Sequence, residues 1–313
     1  MPKIKSEINL MIETARLYYE HHFSQQQIAN KMGISRPGIS RLLQKARETG
    51  IVKIEIIDLE SKGTELEAKL KKKYNLKDMI IVPNENEEST TIKQRLGKAA
   101  FNYLDKLITD NMTLGVSWGT TMLQVAQNIQ ARPTTGVTIV QLNGGVTRAE
   151  YDTHASEVAQ KMGEKYRAVP FLLPLPAIVD NMKVKDAILS DKNISHTLNL
   201  GKQANVIVFT IGKFDYESVL VKANYFEKNE VDSLINNGAI ADVCSRIIDK
   251  KGNICSEKLN ERTIGIELDE IKNKNYSIAV AGGKDKVKAI KAALKGKLFN
   301  VLITDELVAN QLN

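Results

Sequence analysis

Apolar positions at helical spacing run through the first fifty residues of this chain. Those that predict a first helix, over residues 6–20, are Ile8, Met11, Ile12, Ala15 and Tyr19. The same kind of pattern predicts a short helix at Gln25–Met32 and a longer one from Arg36 to about Glu48, which stops at Gly50. The alternating run Ile51–Ile56 then predicts a strand.

Capping signals define the ends of the second and third predicted helices. Ser24 is a favourable N-cap with Gln27 three residues later, and Gly33 can take the left-handed conformation that ends a helix. Ser35 is the next N-cap, and Pro37 lies in the first turn, where the missing N–H has no helical partner. Two helices joined by such a tight turn indicate a helix-turn-helix, with an ordinary helical hairpin as the alternative.

Beyond about residue 76, short apolar runs alternate with helical stretches. The predicted strands are Met79–Val82, Thr113–Ser117, Val137–Leu142, Asn205–Ile211, Ser277–Ala281 and Val301–Thr304. The predicted helices between them include Lys93–Leu107, Thr121–Gln130, Glu157–Lys165 and Val287–Leu294. Several of these strands are short and wholly apolar, as buried parallel strands are. The alternation therefore predicts an α/β domain with a doubly wound sheet.

The chain is long enough for two domains. We predict a helix-turn-helix domain at residues 1–58 and an α/β domain at residues 59–313. The segment Asp58–Lys73 at this boundary is charged, and its Leu66 and Leu70 could form one face of a linking helix.

The charge distribution says more than the net charge of +7 and the pI of about 9.1. From Ser24 to Lys53 the only acidic residue is Glu48, whereas the basic residues are Lys31, Arg36, Arg41, Lys45, Arg47 and Lys53. A basic excess of this kind fits an anionic partner, and it coincides with the predicted helix-turn-helix.

Other compositional features exclude several classes of protein. The chain shows no secretory signal and no apolar run near the roughly 20 residues that cross a bilayer, so we expect a cytoplasmic protein without membrane contact. Cys244 and Cys255 are expected to be free thiols. No Cys or His pairs have the spacing of zinc ligands, so neither a metal nor another cofactor is expected.

The third predicted helix would lie in the major groove of DNA. The residues expected at the DNA are Ser24, Gln25, Ser35, Arg36, Pro37, Ser40, Arg41, Gln44 and Lys45. Arg36, Ser40 and Arg41 are expected near the bases and Lys45 at the phosphate backbone. Ser35 could offer a phosphate its hydroxyl and the helix N-terminus. The alternative for each residue is an exposed polar side chain.

Three glycine-containing loops follow predicted strands, where open α/β sheets bind their ligands. Gly119 precedes Thr120 and Thr121 at a helix N-terminus, an arrangement that favours an anion, although a simple N-cap is the alternative. Residues 143–145 form a second glycine turn, and residues 282–286 form a third that adds lysines. Together the loops predict a pocket for a phosphorylated small molecule.

The chain resembles the SorC/DeoR-type sugar-binding transcriptional regulators, particularly the deoxyribonucleoside regulators of bacilli, over nearly its whole length. The segments that carry the resemblance are Glu13–Tyr19, Ser24–Ala29, Ile34–Pro37, Ser40–Leu43, Gly115–Thr121, Val140–Gly145, Gly252–Ser256, Arg262–Gly265 and Asn300–Asp305. No single segment is specific, but their combination is.

The resemblance implies a non-catalytic effector domain similar in fold to ribose-phosphate isomerase and glucosamine-phosphate deaminase. It implies that a bound sugar phosphate changes operator affinity and that the protein forms homodimers or homotetramers. The implied effector-binding residues are Ser117, Gly119, Thr120, Thr121, Asn143, Gly144, Gly145, Asp242, Arg262, Gly283 and Lys286. The loop at Gly119 would hold the phosphate, helped by Lys286, with Asp242 and Arg262 near the sugar.

One position departs from the deoxyribonucleoside regulators. Those proteins have a lysine just before the Gly-Gly pair, and it forms a Schiff base with deoxyribose 5-phosphate, whereas this chain has Asn143. An amide has no nucleophilic amine, so the covalent chemistry cannot occur at this residue. Asn143 could still hydrogen-bond a sugar hydroxyl. Deoxyribose 5-phosphate and related phosphosugars therefore both stay open as effectors.

The leading hypothesis is a repressor of a carbohydrate or deoxyribonucleoside catabolic operon, controlled by a sugar phosphate. A sugar-phosphate isomerase or deaminase with an accessory N-terminal domain is the rival. Such an enzyme needs a positioned acid–base pair. His154 and His196 follow no glycine turn, whereas Asp242 and Lys286 could transfer protons. A structural or interaction protein whose small N-terminal domain does not touch DNA is the third hypothesis.

Overall fold

The chain consists of two compact units, residues 1–61 and residues 62–313. The computed structural model describes residues 2–21, 23–52, 65–84, 88–146 and 152–313, with side chains from residue 7 onward. The predicted domain boundary near residue 58 lies outside the described residues and stays a prediction. None of the described helices is long and apolar enough to cross a membrane.

The first unit is helical. It contains α1 (Pro2–Ala15), a π-helical turn (Arg16–Glu20), α2 (Gln25–Met32) and α3 (Arg36–Glu48). The predicted second and third helices are confirmed, and the first begins four residues before its predicted start at residue 6. Ile51 and Val52 form bends, so the strand predicted at Ile51–Ile56 is wrong at these two residues. Its other residues lie outside the described part of the chain.

The turn between α2 and α3 is determined by local chemistry and a small apolar core. Ser24 and Gln27 form a reciprocal capping box, and Gly33 adopts a φ of 65° to end α2. Ser35 then accepts a hydrogen bond from the Gly38 N–H at the start of α3. The buried residues that hold the helices together are Leu17, Ile28, Ala29, Ile39 and Leu43.

The second unit is an α/β fold. Its described strands are β1 (Asp78–Val82), β2 (Thr113–Val116), β3 (Thr138–Gln141), β4 (Val206–Phe209), β5 (Ile211–Lys213), β6 (Ala239–Val243), β7 (Arg246–Asp249), β8 (Tyr276–Val280) and β9 (Val301–Asp305). Its described helices are α4 (Glu65–Tyr74), α5 (Ser89–Leu107), α6 (Thr120–Asn128), α7 (Ala155–Tyr166), α8 (Met182–Leu189), α9 (Lys192–Gln203), α10 (Val219–Lys222), α11 (Lys228–Asn236), α12 (Glu257–Arg262), α13 (Leu268–Lys272), α14 (Val287–Lys295) and α15 (Glu306–Leu312).

The main sheet is parallel throughout and has the strand order β1-β9-β8-β4-β2-β3. Successive side chains of a strand point to opposite faces, and here each face meets its own apolar core. On β4, Val206 and Val208 belong to a core that includes residues of α5, α6 and α7. Ile207 and Phe209 belong to another, which includes residues of α4, α14 and α15. Helices cover both faces, which confirms the predicted doubly wound arrangement.

A second, antiparallel sheet with the order β5-β6-β7 was not predicted. The predicted strand Asn205–Ile211 in fact ends at Phe209, and the chain enters the second sheet at Ile211. The sequence pattern missed this break because the residues from 206 to 209 and Ile211 are all buried. The second sheet therefore starts directly at the carboxyl end of β4 and stands beside the glycine loops.

The strand predicted at Met79–Val82 and the helix predicted at Lys93–Leu107 are confirmed with shifted ends. The segment predicted to contain a linking helix includes α4, and its Leu66 and Leu70 pack into the core of the second unit. This helix is thus part of the α/β fold.

Candidate functional site

The carboxyl ends of four neighbouring strands define the candidate site. Strands β8, β4, β2 and β3 lie side by side, so the loops that follow β2, β3 and β8 emerge at one edge of the sheet. A cavity of about 250 Å³ opens there. Its lining combines residues of these loops with residues of α5 and of the second sheet. The three predicted glycine loops therefore reach one region, although their individual residues do not all line the cavity.

One wall of the cavity is the N-terminus of α6. Gly119 precedes this helix with a φ of 114°, a backbone conformation that residues with a side chain rarely adopt. The first helical residues, Thr120 and Thr121, line the cavity together with Ser117. Helix N-termini present N–H groups without helical partners and carry partial positive charge, which makes this wall suited to a phosphate.

Three lysines contribute positive charge to the same cavity. Lys93 comes from α5, Lys213 from β5, and Lys286 ends the short 3₁₀ turn after Gly283. Burial lowers the pKa of Lys286 to about 8, and Lys93 and Lys213 act in the same direction, against Asp285 and Asp242. The charges of Lys93 and Lys213 thus disfavour the protonated form of Lys286, and an anionic ligand in the cavity would favour that form.

The same cavity is also lined by residues with buried polar atoms that have no hydrogen-bond partner among the described residues. Among the described residues, the buried side-chain atoms that lack a hydrogen bond include Asn143 Oδ1, Thr210 Oγ1, Ser218 Oγ and Asp242 Oδ1, all from residues that line this cavity. Buried polar atoms are normally satisfied, so four unsatisfied ones in one cavity indicate a ligand rich in hydroxyl groups. The Asn143 and Asp242 oxygens require hydrogen-bond donors.

Asp242 lies at the end of β6, where the turn to β7 meets the cavity. Burial raises the pKa of its carboxyl group to about 7, although the Ser245 backbone N–H and Lys286 act to lower it. Cys244 and Ser245 form the turn with φ angles of 48° and 69°, a conformation uncommon for residues other than glycine. The Asn143 amide donates a 2.7 Å hydrogen bond to Ser245 Oγ and so joins the loop after β3 to this turn.

Four of the predicted effector-binding residues do not line the cavity. Gly144 packs against the Leu175–Pro176 backbone, and its carbonyl accepts a 2.8 Å hydrogen bond from Trp118 Nε1. Gly145 lines a separate cleft beside His154. Gly283 donates its N–H to Asp305 Oδ2 at 2.6 Å, and Gly282 lines the cavity in its place.

Arg262 is the fourth predicted effector-binding residue that does not line the cavity. It lines a cleft between α11 and α12, where its guanidinium contacts Glu230 at 3.0 Å and donates to the Val179 and Asp180 carbonyls. Its long side chain is thus engaged by neighbouring elements, away from the proposed sugar.

Several lining residues were missed by the sequence analysis: Ser89, Lys93, Thr210, Gly212, Lys213, Ser218 and Ser245. Most belong to the second sheet or its connections, which the sequence pattern did not reveal. Lys93 was within a predicted helix, but no sequence signal indicated which side of that helix faces the cavity.

The rival enzyme hypothesis depends on titratable groups. His154 precedes α7 beside Asp152 and Glu157, and His196 is exposed on α9. Neither histidine lines the cavity, whereas Asp242 and Lys286 both do. These two residues could transfer protons, so the geometry of the cavity does not by itself separate a binding site from an active site.

In the first unit, α3 presents the polar surface that the sequence predicted for DNA. The exposed residues on it include Arg36, Pro37, Ser40, Arg41, Gln44 and Lys45. Lys45 Nζ lies 2.6 Å from Glu7, an exposed pair that solvent screens. Ser24 and Ser35 use their hydroxyl oxygens as helix caps, and Gln25 is half-buried.

Comparisons with known proteins agree with this two-unit organisation. A family model described as a sugar-binding domain matches residues 60–312. The deoxyribonucleoside regulator of Bacillus subtilis (strain 168) is 42% identical over 303 residues, which cover 97% of this chain and 96% of the relative.

The sorbitol operon regulator of Klebsiella pneumoniae is 28% identical over 98% of each chain. Its full-length crystal structure has a TM-score of 0.81 and covers 97% of this chain and 98% of that chain. These relatives are regulators and not enzymes, which favours the leading hypothesis over its rival. The likeness to ribose-phosphate isomerase and glucosamine-phosphate deaminase stays a prediction. The chain therefore belongs to the sugar-binding family of SorC-type transcriptional regulators, with N-terminal helices that form a DNA-binding domain and an α/β domain that binds a sugar effector.

Proposed function

We propose that the effector is a phosphorylated sugar held without a covalent bond in the cavity at the carboxyl ends of β2, β3 and β8. The observation that carries the proposal is that one cavity combines a helix N-terminus and three lysines with four buried polar atoms that lack a hydrogen bond among the described residues. A phosphate matches the first set, and sugar hydroxyls match the second.

The proposed contacts follow from these atoms. The phosphate would lie at Gly119, Thr120 and Thr121, close to Lys286. Sugar hydroxyls would donate to Asp242 Oδ1 and Asn143 Oδ1, which need donors. Because Asn143 provides no amine, we propose reversible binding even of deoxyribose 5-phosphate.

Calorimetric titration of the full chain with deoxyribose 5-phosphate, ribose 5-phosphate and sorbitol 6-phosphate tests this proposal. Each compound has its unphosphorylated counterpart as a matched control. We expect one phosphorylated compound to bind and its counterpart to bind much more weakly. Equal binding of both forms would refute the assigned phosphate site. Deoxyribose 5-phosphate is the first candidate, since the Bacillus subtilis relative is a deoxyribonucleoside regulator.

We further propose that effector binding changes the affinity of α3 for operator DNA, and that the protein acts in the cytoplasm as a homodimer or homotetramer. A ligand shifts such an equilibrium only if it binds one conformation better than the other. A twofold oligomer would place two copies of α3 on two half-sites. Gel shifts on the promoter of its own operon, with and without effector, would measure the coupling. Sedimentation would measure the oligomeric state.

The proposed DNA surface is tested by the double substitution Arg36→Ala and Arg41→Ala. Both side chains are exposed, so we expect operator binding to be abolished and the thermal midpoint to stay nearly unchanged. Lys288→Ala with Lys295→Ala removes the same charge from exposed positions of the second unit and serves as the control. Binding of the unmodified protein should weaken steeply as salt rises. Retained operator binding by the arginine variant would contradict the proposed DNA surface on α3.

The domain boundary is also a proposal. The two compact units, residues 1–61 and 62–313, support separate domains close to the proposed ranges 1–58 and 59–313. Limited proteolysis with mass spectrometry should cut first near the proposed boundary at residue 58. Cleavage that begins elsewhere would contradict the proposed boundary.

A further inference from the structure

The segment Asn300–Asp305 carried part of the family resemblance but has no role in the cavity described above. It forms β9 and ends at Asp305, whose side chain is fully buried in the described structure. Asp305 Oδ2 accepts the Gly283 N–H at 2.6 Å. Asp305 Oδ1 accepts the N–H groups of Leu307 and Val308 at 3.0 Å and 3.2 Å and so caps α15. The two oxygens therefore act on different elements.

The contact with Gly283 bears directly on the position of Lys286. Gly283 has a φ of 98° and is the residue before the 3₁₀ turn Lys284–Lys286, so the backbone that Asp305 holds is the start of the turn that ends in Lys286. Gly282 packs so closely on the carboxylate that a Cβ atom there would lie 2.4 Å from Asp305 Oδ2. The carboxylate thus fixes two consecutive residues of the loop.

The same carboxylate also contacts the chain just after β1. Asp305 Oδ1 accepts a 2.8 Å hydrogen bond from the side chain of Asn84, two residues beyond the end of β1. Glu306, the next residue, accepts the Asn84 backbone N–H at 3.2 Å. One buried carboxylate is therefore bonded both to the loop that carries Lys286 and to the chain that leaves β1.

We propose that Asp305 is a positioning residue for the effector site: by accepting the Gly283 N–H, its carboxylate holds the Gly282–Lys286 loop so that Lys286 faces the phosphate. Hydrogen bonds to an ionised, buried acceptor are short and strong, which makes them effective in fixing a loop. Asp305 itself does not line the cavity, so its effect reaches the ligand only through that loop. The statement about phosphate rests on the proposed function.

Asp305→Asn separates the two roles of the carboxylate. The retained oxygen can still cap α15, because asparagine is a good N-cap. The new amide group is a donor and cannot accept the Gly283 N–H, so the loop must shift. Gly282→Ala provides an independent test, since its methyl group would meet Asp305 Oδ2 and Leu96 Cδ1, whereas α15 is capped by Asp305 Oδ1. The matched control is Asp191→Asn, which changes the exposed carboxylate that caps α9.

The first measurement needs no effector. Full-length protein is labelled with an amine-reactive reagent across a pH series, and mass spectrometry follows the labelling of Lys286. The groups around this amine are Asp242, Asp285, Lys93 and Lys213. In the unmodified protein we expect the labelling midpoint of Lys286 near pH 8. In Asp305→Asn and Gly282→Ala it should rise toward about 10.4, the pKa of a solvated lysine. The Asp191→Asn variant should keep the original midpoint.

The second measurement is calorimetric titration with deoxyribose 5-phosphate and the other phosphosugars named above. We expect both variants, Asp305→Asn and Gly282→Ala, to lower the affinity for the phosphosugar about tenfold, by analogy with the loss that follows removal of groups that orient metal ligands. Unchanged Lys286 labelling in both folded variants would overturn the proposal. Failure of the unmodified protein to bind any phosphosugar would instead refute the proposed function, while the labelling result would still decide the role of Asp305.

Discussion

Asp242→Asn is the substitution whose effect the structure predicts in most detail. The Asp242 carboxyl group is buried at the cavity, Oδ1 has no partner, and the pKa is raised from 3.8 to about 7. Asparagine has nearly the same shape and can keep its oxygen on the Ser245 N–H, with its amide directed into the cavity. The substitution therefore removes an unfavourable buried charge and leaves the packing nearly intact.

Proton linkage determines whether Asp242 makes the folded protein more or less stable as pH rises. In the unfolded chain Asp242 loses its proton near pH 4, whereas in the folded protein it keeps the proton to about pH 7. The unfolded state thus binds fewer protons between these values, so the free energy of unfolding falls as pH rises through this window. A pKa raised by this amount lowers the free energy of unfolding by about 4 kcal/mol once the carboxyl group is ionised. Residual exposure of the side chain reduces the expected loss to about 2–4 kcal/mol.

Urea unfolding at a series of pH values measures this contribution. We expect the stability of Asp242→Asn to exceed that of the unmodified protein by about 2–4 kcal/mol at pH 7.5, and the two to be nearly equal at pH 4. The series should stop near pH 7.5, because Lys286, whose pKa is lowered to about 8, adds a dependence of its own above that value. A stability difference that stays the same across the series would refute the argument that the buried carboxylate is destabilising.

Three further substitutions test other parts of the structure. Gly119→Ala should weaken phosphosugar binding measured by calorimetry and lower stability by roughly 1–3 kcal/mol, because φ at this residue is 114°; unchanged affinity would remove Gly119 from the proposed phosphate site. Lys286→Met should weaken the phosphorylated sugar much more than its unphosphorylated counterpart, and an equal loss for both would contradict a phosphate contact. Ile39→Ala should destabilise the helical unit by about 2–5 kcal/mol, because Ile39 is fully buried; gel shift should show operator binding lost while calorimetry shows effector binding retained.

The helices of the first unit could be predicted from sequence because their signals are local. The Ser24 capping box, the left-handed Gly33 and the Ser35 cap act within three or four residues of the chain. Their predicted ends at Gln25–Met32 and Arg36–Glu48 agree with the structure. The strand predicted after α3 is wrong at Ile51 and Val52, since an alternating pattern requires a neighbouring strand before it becomes a sheet.

The effector site required tertiary information. The sequence indicated that glycine loops end several strands, because a wholly apolar strand and the turn after it are both visible in a short window. It did not indicate the break at Thr210 or the second sheet, since four consecutive buried residues look the same whether the strand continues or ends. Lys213 and Ser218 were missed for that reason, whereas Lys93 was missed because no local signal indicates which face of α5 meets the cavity. Arg262 was predicted near the sugar, but it lines a different cleft.

The sequence alone determined the helix-turn-helix, the parallel α/β class and the family, since these depend on local periodicity, capping and motifs that persist along the chain. Only the tertiary structure decided which glycine and which lysines line the cavity. It also decided that Asp305 accepts a hydrogen bond from the Gly283 N–H. These features depend on strand order, which brings together residues that lie 22 positions apart, as Gly283 and Asp305 do, or 102 positions apart, as Asn143 and Ser245 do, and no local pattern encodes such contacts.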